Sequence, residues 1–323
     1  MITKDEINNK TKNHSNLKNL HISWIIDKES LSNKHNSFDV FTSINDILYI
    51  VYSNIFKSII FINLFNNQKI SEIKNAHNST ISNIKYYLDT INKRDLIISI
   101  SSDDKNIKLW YFTTLECLLN FNNESNLFSA CILNNNNQNY IIPTNNFREP
   151  IKIYDFKGTK IKEIDSCDRA YIIESYKNYF LTGNENFVKS YDLNEGKIYQ
   201  KYFDNDEFNR HLSIIIYDNN KNVKLIESNT GGVVRIWNFH SGKLIKRIIV
   251  SNVPLYGICL WNLEFLFAGS YGGQVLLLNL KNGKIDKILD TRSPSKVNKV
   301  KKISHPKLGE YLITNNNCLI LWK

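Results

Sequence analysis

Seven segments of the chain end alike, and their spacing restricts the folds open to it. They are Phe61-Ile62-Asn63-Leu64, Leu109-Trp110-Tyr111-Phe112, Ile153-Tyr154-Asp155-Phe156, Ser190-Tyr191-Asp192-Leu193, Ile236-Trp237-Asn238-Phe239, Leu277-Leu278-Asn279-Leu280 and Leu321-Trp322-Lys323. Counted on the second residue of each, the intervals are 48, 44, 37, 46, 41 and 44 residues. Self-similarity at a period of about 40–45 residues marks four-stranded propeller blades. Seven such units predict an all-β chain folded as a seven-bladed β-propeller with four-stranded antiparallel blades.

The clearest unit shows why each period is built from strands. Leu96–Ser101 is rich in Ile, Ser102–Asn106 is a polar turn, and Ile107–Tyr111 is a second apolar run. β-Branched and aromatic residues suit a pleated, half-buried surface, and Ser/Asp/Asn clusters bend the backbone between such runs. Several units add a hairpin after the third strand, with Gly196, Gly242 or Gly283 at the turn, where φ > 0 is needed. Alanine, the best helix former, occurs only four times. Length alone allows two domains; the repeat overrides that prior. The expected layout is a polar, flexible tail over 1–18 and one propeller over 19–323. Its closing strand is 20–26, and its units span 38–74, 77–121, 127–165, 169–203, 211–250, 254–290 and 296–323.

Two units carry a recognisable pattern. Ser99-Ile100-Ser101-Ser102-Asp103-Asp104-Lys105-Asn106-Ile107-Lys108-Leu109-Trp110 resembles the signature of the WD-repeat β-propeller family, and Thr230–Asn238 is similar to it. The resemblance implies a hydrogen-bonded network within a blade, which here falls on His77, Ser99 (or Ser101), Asp104 and Trp110. In the other units the aspartate position holds Phe56, Arg148, Glu185, Gly231, Gly272 or Asn316. Those blades must stand mainly on apolar burial.

The last unit ends after its third strand, and Leu20–Ile26 is a spare strand near the other terminus. Pairing it beside Cys318–Trp322 completes the seventh blade and removes a long apolar edge.

Bulk composition argues against several functions. The formal charge is +10, but 34 of the 41 basic residues are Lys, and Asn occurs 47 times. That bias follows AT-rich codons, and Arg, the residue suited to bidentate phosphate recognition, is scarce. Nucleic-acid binding is therefore not expected. The five cysteines are widely spaced with no CxxC pair, which fits reduced thiols in an intracellular, chiefly cytoplasmic protein, the nucleus being a second option. Residues 47–65 approach a membrane-crossing length, yet Lys57 and its polar neighbours make two strands the better reading. No metal-ligand spacing, phosphate cradle before a helix, or nucleophile elbow is present, so no enzyme activity, cofactor or metal is expected.

Function is instead expected on one rim. Loops joining second to third strands, and fourth strands to the next unit, emerge on the same side. They collect Phe56, Phe147, Arg148, Glu149, Arg169, Glu185, Arg210, Tyr271 and Arg292, including four of the seven arginines. Aromatics and Arg are enriched at binding hot spots. The resemblance and this rim imply a monomeric, non-catalytic scaffold docking a peptide or subunit there or at the channel mouth. The alternatives are a propeller reading anionic lipid headgroups and a component of a nuclear or RNA-associated complex. The starts of the inner strands, read as Phe38, Ile81, Phe128, Ala170, Leu212, Leu255 and Val297, are apolar and predict an unreactive channel.

Overall fold

Each period of the sequence becomes one antiparallel sheet, and seven four-stranded sheets stand around an axis. The structure, a computed structural model, describes residues 17, 19–26, 38–123, 125–145, 149–166, 168–205, 209–220 and 222–323. The inner strands are Phe38–Thr42, Ile81–Asp89, Leu127–Asn135, Ile172–Tyr176, His211–Asp218, Leu255–Leu260 and Lys299–His305, in blades 1 to 7. The outer strands of blades 1 to 6 are Gln68–Ile73, Cys117–Asn122, Lys160–Ile164, Lys197–Phe203, Leu244–Ile249 and Ile285–Asp290. The apolar stretch 47–65 contains two strands, Leu48–Ser53 and Ile59–Asn63, joined by a turn through Lys57. Among the described residues no helix is long and apolar enough to cross a membrane.

The residue that sets the sequence period has a structural counterpart. At Ile62, Trp110, Tyr154, Tyr191, Trp237 and Leu278 the register between third and outer strand shifts, so each aligned position coincides with a bulge. A bulge raises local twist and bends the strand. It tilts the outer strand of each blade at the same depth. Gly196, Gly242 and Gly283 sit in the hairpins that follow, at φ of 69°, 66° and 76°.

Burial follows position in the blade. The second strands Leu48–Ser53 and Phe265–Ser270 are buried along their whole length, whereas every residue of Gln68–Ile73 and Cys117–Asn122 is half-buried or exposed. The apolar clusters lie between blades: one joins Leu96, Ile98 and Leu109 of blade 2 to Ala130, Ile132 and Ile141 of blade 3. Neighbouring blades are therefore held by face-to-face apolar contact. Gly257 lets blades 6 and 7 approach: a Cβ there would stand 2.8 Å from the Lys299 Cα and 3.0 Å from the Asn298 carbonyl oxygen.

The ring closes through the amino-terminal segment. Ile22–Ile26 pairs antiparallel with Leu319–Trp322, Ile22 facing Trp322 and Ile26 facing Leu319. The ladder extends one step further, with the His21 and Lys323 amides each donating to the other's carbonyl at 3.0 Å. Ile26 shares one apolar cluster with Phe38 of blade 1, Phe267 of blade 6 and Leu321 of blade 7. Leu17, assigned above to the polar tail, is buried in that cluster, so the packed chain begins earlier than its hydropathy suggests. Residues 1–16 and 18 lie outside the described residues.

Candidate functional site

The hydrogen-bonding residues named from the sequence meet in blade 2. His77 Nε2 lies 2.8 Å from Ser99 Oγ, which also accepts a 2.8 Å bond from Trp110 Nε1. Asp104 takes a different part. Its carboxylate accepts the amides of Asn78 and Ser79 at 2.7 and 2.9 Å and stays 3.8 Å from His77 Nδ1. It pins the loop that carries the histidine.

Other blades fill the same position differently. In blade 7, Trp322 Nε1 donates to Thr314 Oγ1 at 2.9 Å. Blades 3 and 4 replace the indole with tyrosine, Tyr154 donating to Asn123 at 3.0 Å and Tyr191 meeting Ser166 at 2.7 Å. Glu227 in blade 5 takes the place of Ser99: Ser99 faces Ile84 and Lys108, and Glu227 faces Ile214 and Arg235. This buried carboxylate meets His211 Nδ1 at 2.9 Å and Arg235 Nη1 at 3.2 Å, and Arg235 Nε meets Asp204 at 3.0 Å.

Burial pushes the His77 imidazolium down to about 4, with Lys108 adding to the effect and Asp104 opposing it. An unfolded histidine titrates near 6.5. Between those values the unfolded chain binds the extra proton, so folding stability falls as pH drops from 6.5 to 4 and levels off below. The expected contribution of this one residue is up to about 3 kcal/mol. Urea unfolding at pH 7 and pH 4.5 checks it: His77→Gln should lose less stability over that interval than the wild type.

The rim residues divide into those the fold gathers and those it keeps apart. Arg169 and Arg210 both stand over the Tyr171 ring, with guanidinium carbons 5.2 and 5.1 Å from its centroid. Arg169 also faces Phe128 at 5.8 Å. The Tyr171 hydroxyl donates to Glu185 at 2.6 Å, and Arg210 Nε lies 4.0 Å from the same carboxylate. Burial and the Glu185 bond raise the Tyr171 phenol, while the two arginines partly offset them. Beside this group, Tyr256 and the exposed Tyr271 have ring centroids 6.4 Å apart, with Lys296 Nζ 4.9 Å from the Tyr256 centroid.

Phe56 is well exposed on the second-to-third-strand turn of blade 1, and Arg292 lies between blades 6 and 7 with its amide on Asp290. Neither has a described contact with the Arg169–Tyr171–Arg210 group. Glu149 is 3.9 Å from Lys152. Phe147 and Arg148 lie outside the described residues. Sequence reasoning missed Phe128, Tyr171, Tyr256 and Lys296, which the fold brings to the same mouth from four blades.

Below that mouth the inner strands enclose a channel of about 690 Å³. The expectation that it is apolar fails. His211 and Lys299 open their strands, and charged residues lie further along others. Alternation is the reason: Ile84 and Val300 are buried in the blades, while their neighbours Lys85, Lys299 and Lys301 line the channel. Lys85 Nζ crosses from blade 2 to blade 4, donating to the Ile173 carbonyl at 2.6 Å and Glu174 at 3.0 Å. Lys299 donates to the Phe38 carbonyl at 2.7 Å, and Lys301 pairs with Asp39, which also accepts the Tyr86 amide at 2.9 Å.

These groups shift one another. Burial alone would raise the Asp39 carboxyl, but Lys301 and Lys299 hold it below its usual value. Burial would lower Lys301, but Asp39, with Glu174 in support, outweighs it and raises the ammonium above its usual value. Lys299 goes the other way: burial, with Lys301 and Lys85 in support and Asp39 and Glu174 opposing, brings it down to about 7.

Seven four-stranded blades, a closing amino-terminal strand and a charged axial channel define a seven-bladed β-propeller. The crystal structure of Chaetomium thermophilum Raptor is similar to it, with a TM-score of 0.72 and 14% identity. The similarity covers 94% of this chain and 29% of that one. At this identity it shows the fold alone. No protein-family profile matches the chain, and no curated protein sequence does.

Proposed function

We propose that the chain is a non-catalytic protein-interaction scaffold of the WD-repeat type, docking a peptide segment or folded subunit at the channel mouth around Tyr171. The observation that carries this is the Arg169–Tyr171–Arg210 stack, flanked by Phe128, Tyr256, Tyr271 and Lys296. Arginine held over an aromatic ring loses little freedom when a partner arrives. Among the described residues there, the cations outnumber the Glu185 carboxylate, which suits an acidic partner surface.

The test is quantitative affinity capture from native cells with wild type and an Arg169→Glu/Arg210→Glu double variant. The variant should recover at least tenfold less of the main interactor while still unfolding in a single cooperative melt, which shows that the ring is intact. Unchanged recovery of that interactor dismisses the mouth as its docking surface.

A further inference from the structure

The channel lysines are not equally compensated. Lys85 has Glu174 and Lys301 has Asp39, but among the described residues Lys299 meets the Phe38 carbonyl and the Phe38 ring, 5.3 Å from its centroid, and no carboxylate at bonding distance. The groups acting on Lys299 from the strands around it are Asp39, Lys85, Glu174 and its own neighbour Lys301. Two carboxylates therefore face three lysines, and among the described residues the mouth above adds Arg169, Arg210 and Lys296 against Glu185. The volume of about 690 Å³ lies within the range of small-molecule sites.

We propose that the channel binds a small ligand carrying two or more phosphate-like groups, with one group against Lys299 and between Lys85 and Lys301. Lysine binds phosphate as a point charge from any direction, which suits ammonium groups supplied by separate blades. A singly charged group would balance the channel alone; the cations at the mouth call for further charge on the same molecule. The site lies on the channel lysines and shares its mouth with the docking surface described above. Its chemistry is shared by free polyphosphorylated compounds and phosphorylated lipid headgroups.

Binding should also move a proton. Lys299, held near 7 by burial, is largely neutral at pH 8, and an anion beside it favours the ammonium form. Lys299 therefore takes up a proton when the ligand binds above pH 7, and affinity weakens as pH rises.

Titration calorimetry with inorganic tripolyphosphate and inositol hexakisphosphate tests the proposal on the full chain at pH 8 in two buffers of different ionisation enthalpy. Saturable binding with net proton uptake is expected. Lys299→Met should weaken it at least tenfold and abolish the uptake. Glu174→Gln should tighten it a few-fold, and Lys281→Met, on an exposed turn, should change nothing. Equal binding by Lys299→Met, equal loss in Lys281→Met, or no binding at millimolar probe overturns the proposal. Sedimentation with phosphoinositide vesicles separates the sources. Vesicle binding that Lys299→Met removes identifies a headgroup as the ligand, and soluble binding without vesicle binding identifies a free compound. Vesicle binding that survives the substitution, with no soluble binding, assigns the anion chemistry to the outer surface and sinks the channel site.

Discussion

Deleting residues 1–30 will lower the stability of the ring by roughly 5 kcal/mol or more, or leave the protein insoluble, because that segment supplies one strand of blade 7 and part of its core. Leu17, Leu20 and Ile26 are buried, and Ile22, Trp24 and Ile25 pack against the same cluster. A fully buried large apolar side chain contributes about 1.5–3 kcal/mol. The three buried residues alone reach the stated loss, before the ladder to Leu319–Trp322 is counted. The deletion also bares that strand, an edge of four buried residues that would template pairing with other chains. A domain of ordinary stability, about 5–15 kcal/mol, has little left after such a change. Thermal melts and the soluble fraction after expression measure it. Ile26→Ala gives a graded version, with an expected cost of about 2–4 kcal/mol. Identical melting temperatures for the truncated and full-length chains would refute the closure account.

The second large effect lies in blade 5. Arg235→Met should cost about 3–5 kcal/mol, because it strips one partner from a carboxylate that is fully buried. The same change leaves Asp204 without its 3.0 Å partner and dependent on Arg247 at 3.7 Å. A Glu227→Leu/Arg235→Met double variant should recover much of the loss, since an apolar pair of similar volume leaves no buried unpaired carboxylate at position 227. Chemical denaturation of both single variants and the double variant gives the coupling. An additive double variant would show that the pair is not a unit.

The pH dependence has a defined sign. Burial would raise the Glu227 carboxyl, but His211 and Arg235 outweigh it and hold the folded value below 4.5. The stability it contributes is complete above the unfolded value near 4.5 and is lost as pH falls through the depressed folded value. It therefore acts on the acid side of the His77 limb, where the two can be told apart.

How far the chain could be read without coordinates differs between framework and site. The aligned positions from Ile62 to Trp322 were visible because a bulge at the same depth in each of six blades selects a large residue followed by a turn. The partnership of His77, Ser99 and Trp110 was legible because one unit keeps the whole pattern within 34 residues. Glu227 was not, because a carboxylate in the serine position makes sense only once Arg235 and His211 are known to converge on it. The rim positions could be listed from loop order, but loop order could not say that Arg169 and Arg210 share one ring while Phe56 stands apart.

The chain alone settled the number of blades, the strand order within each and the need for a closing strand. Those follow from local rules: alternation, turn chemistry and a period that every unit repeats. Only the tertiary structure decided what the axis contains. Lys85, Asp39, Glu174, Lys299 and Lys301 come from four blades and up to 262 positions apart. No local pattern records their meeting, because it is the closure of the ring that turns alternate residues of separate inner strands toward one another.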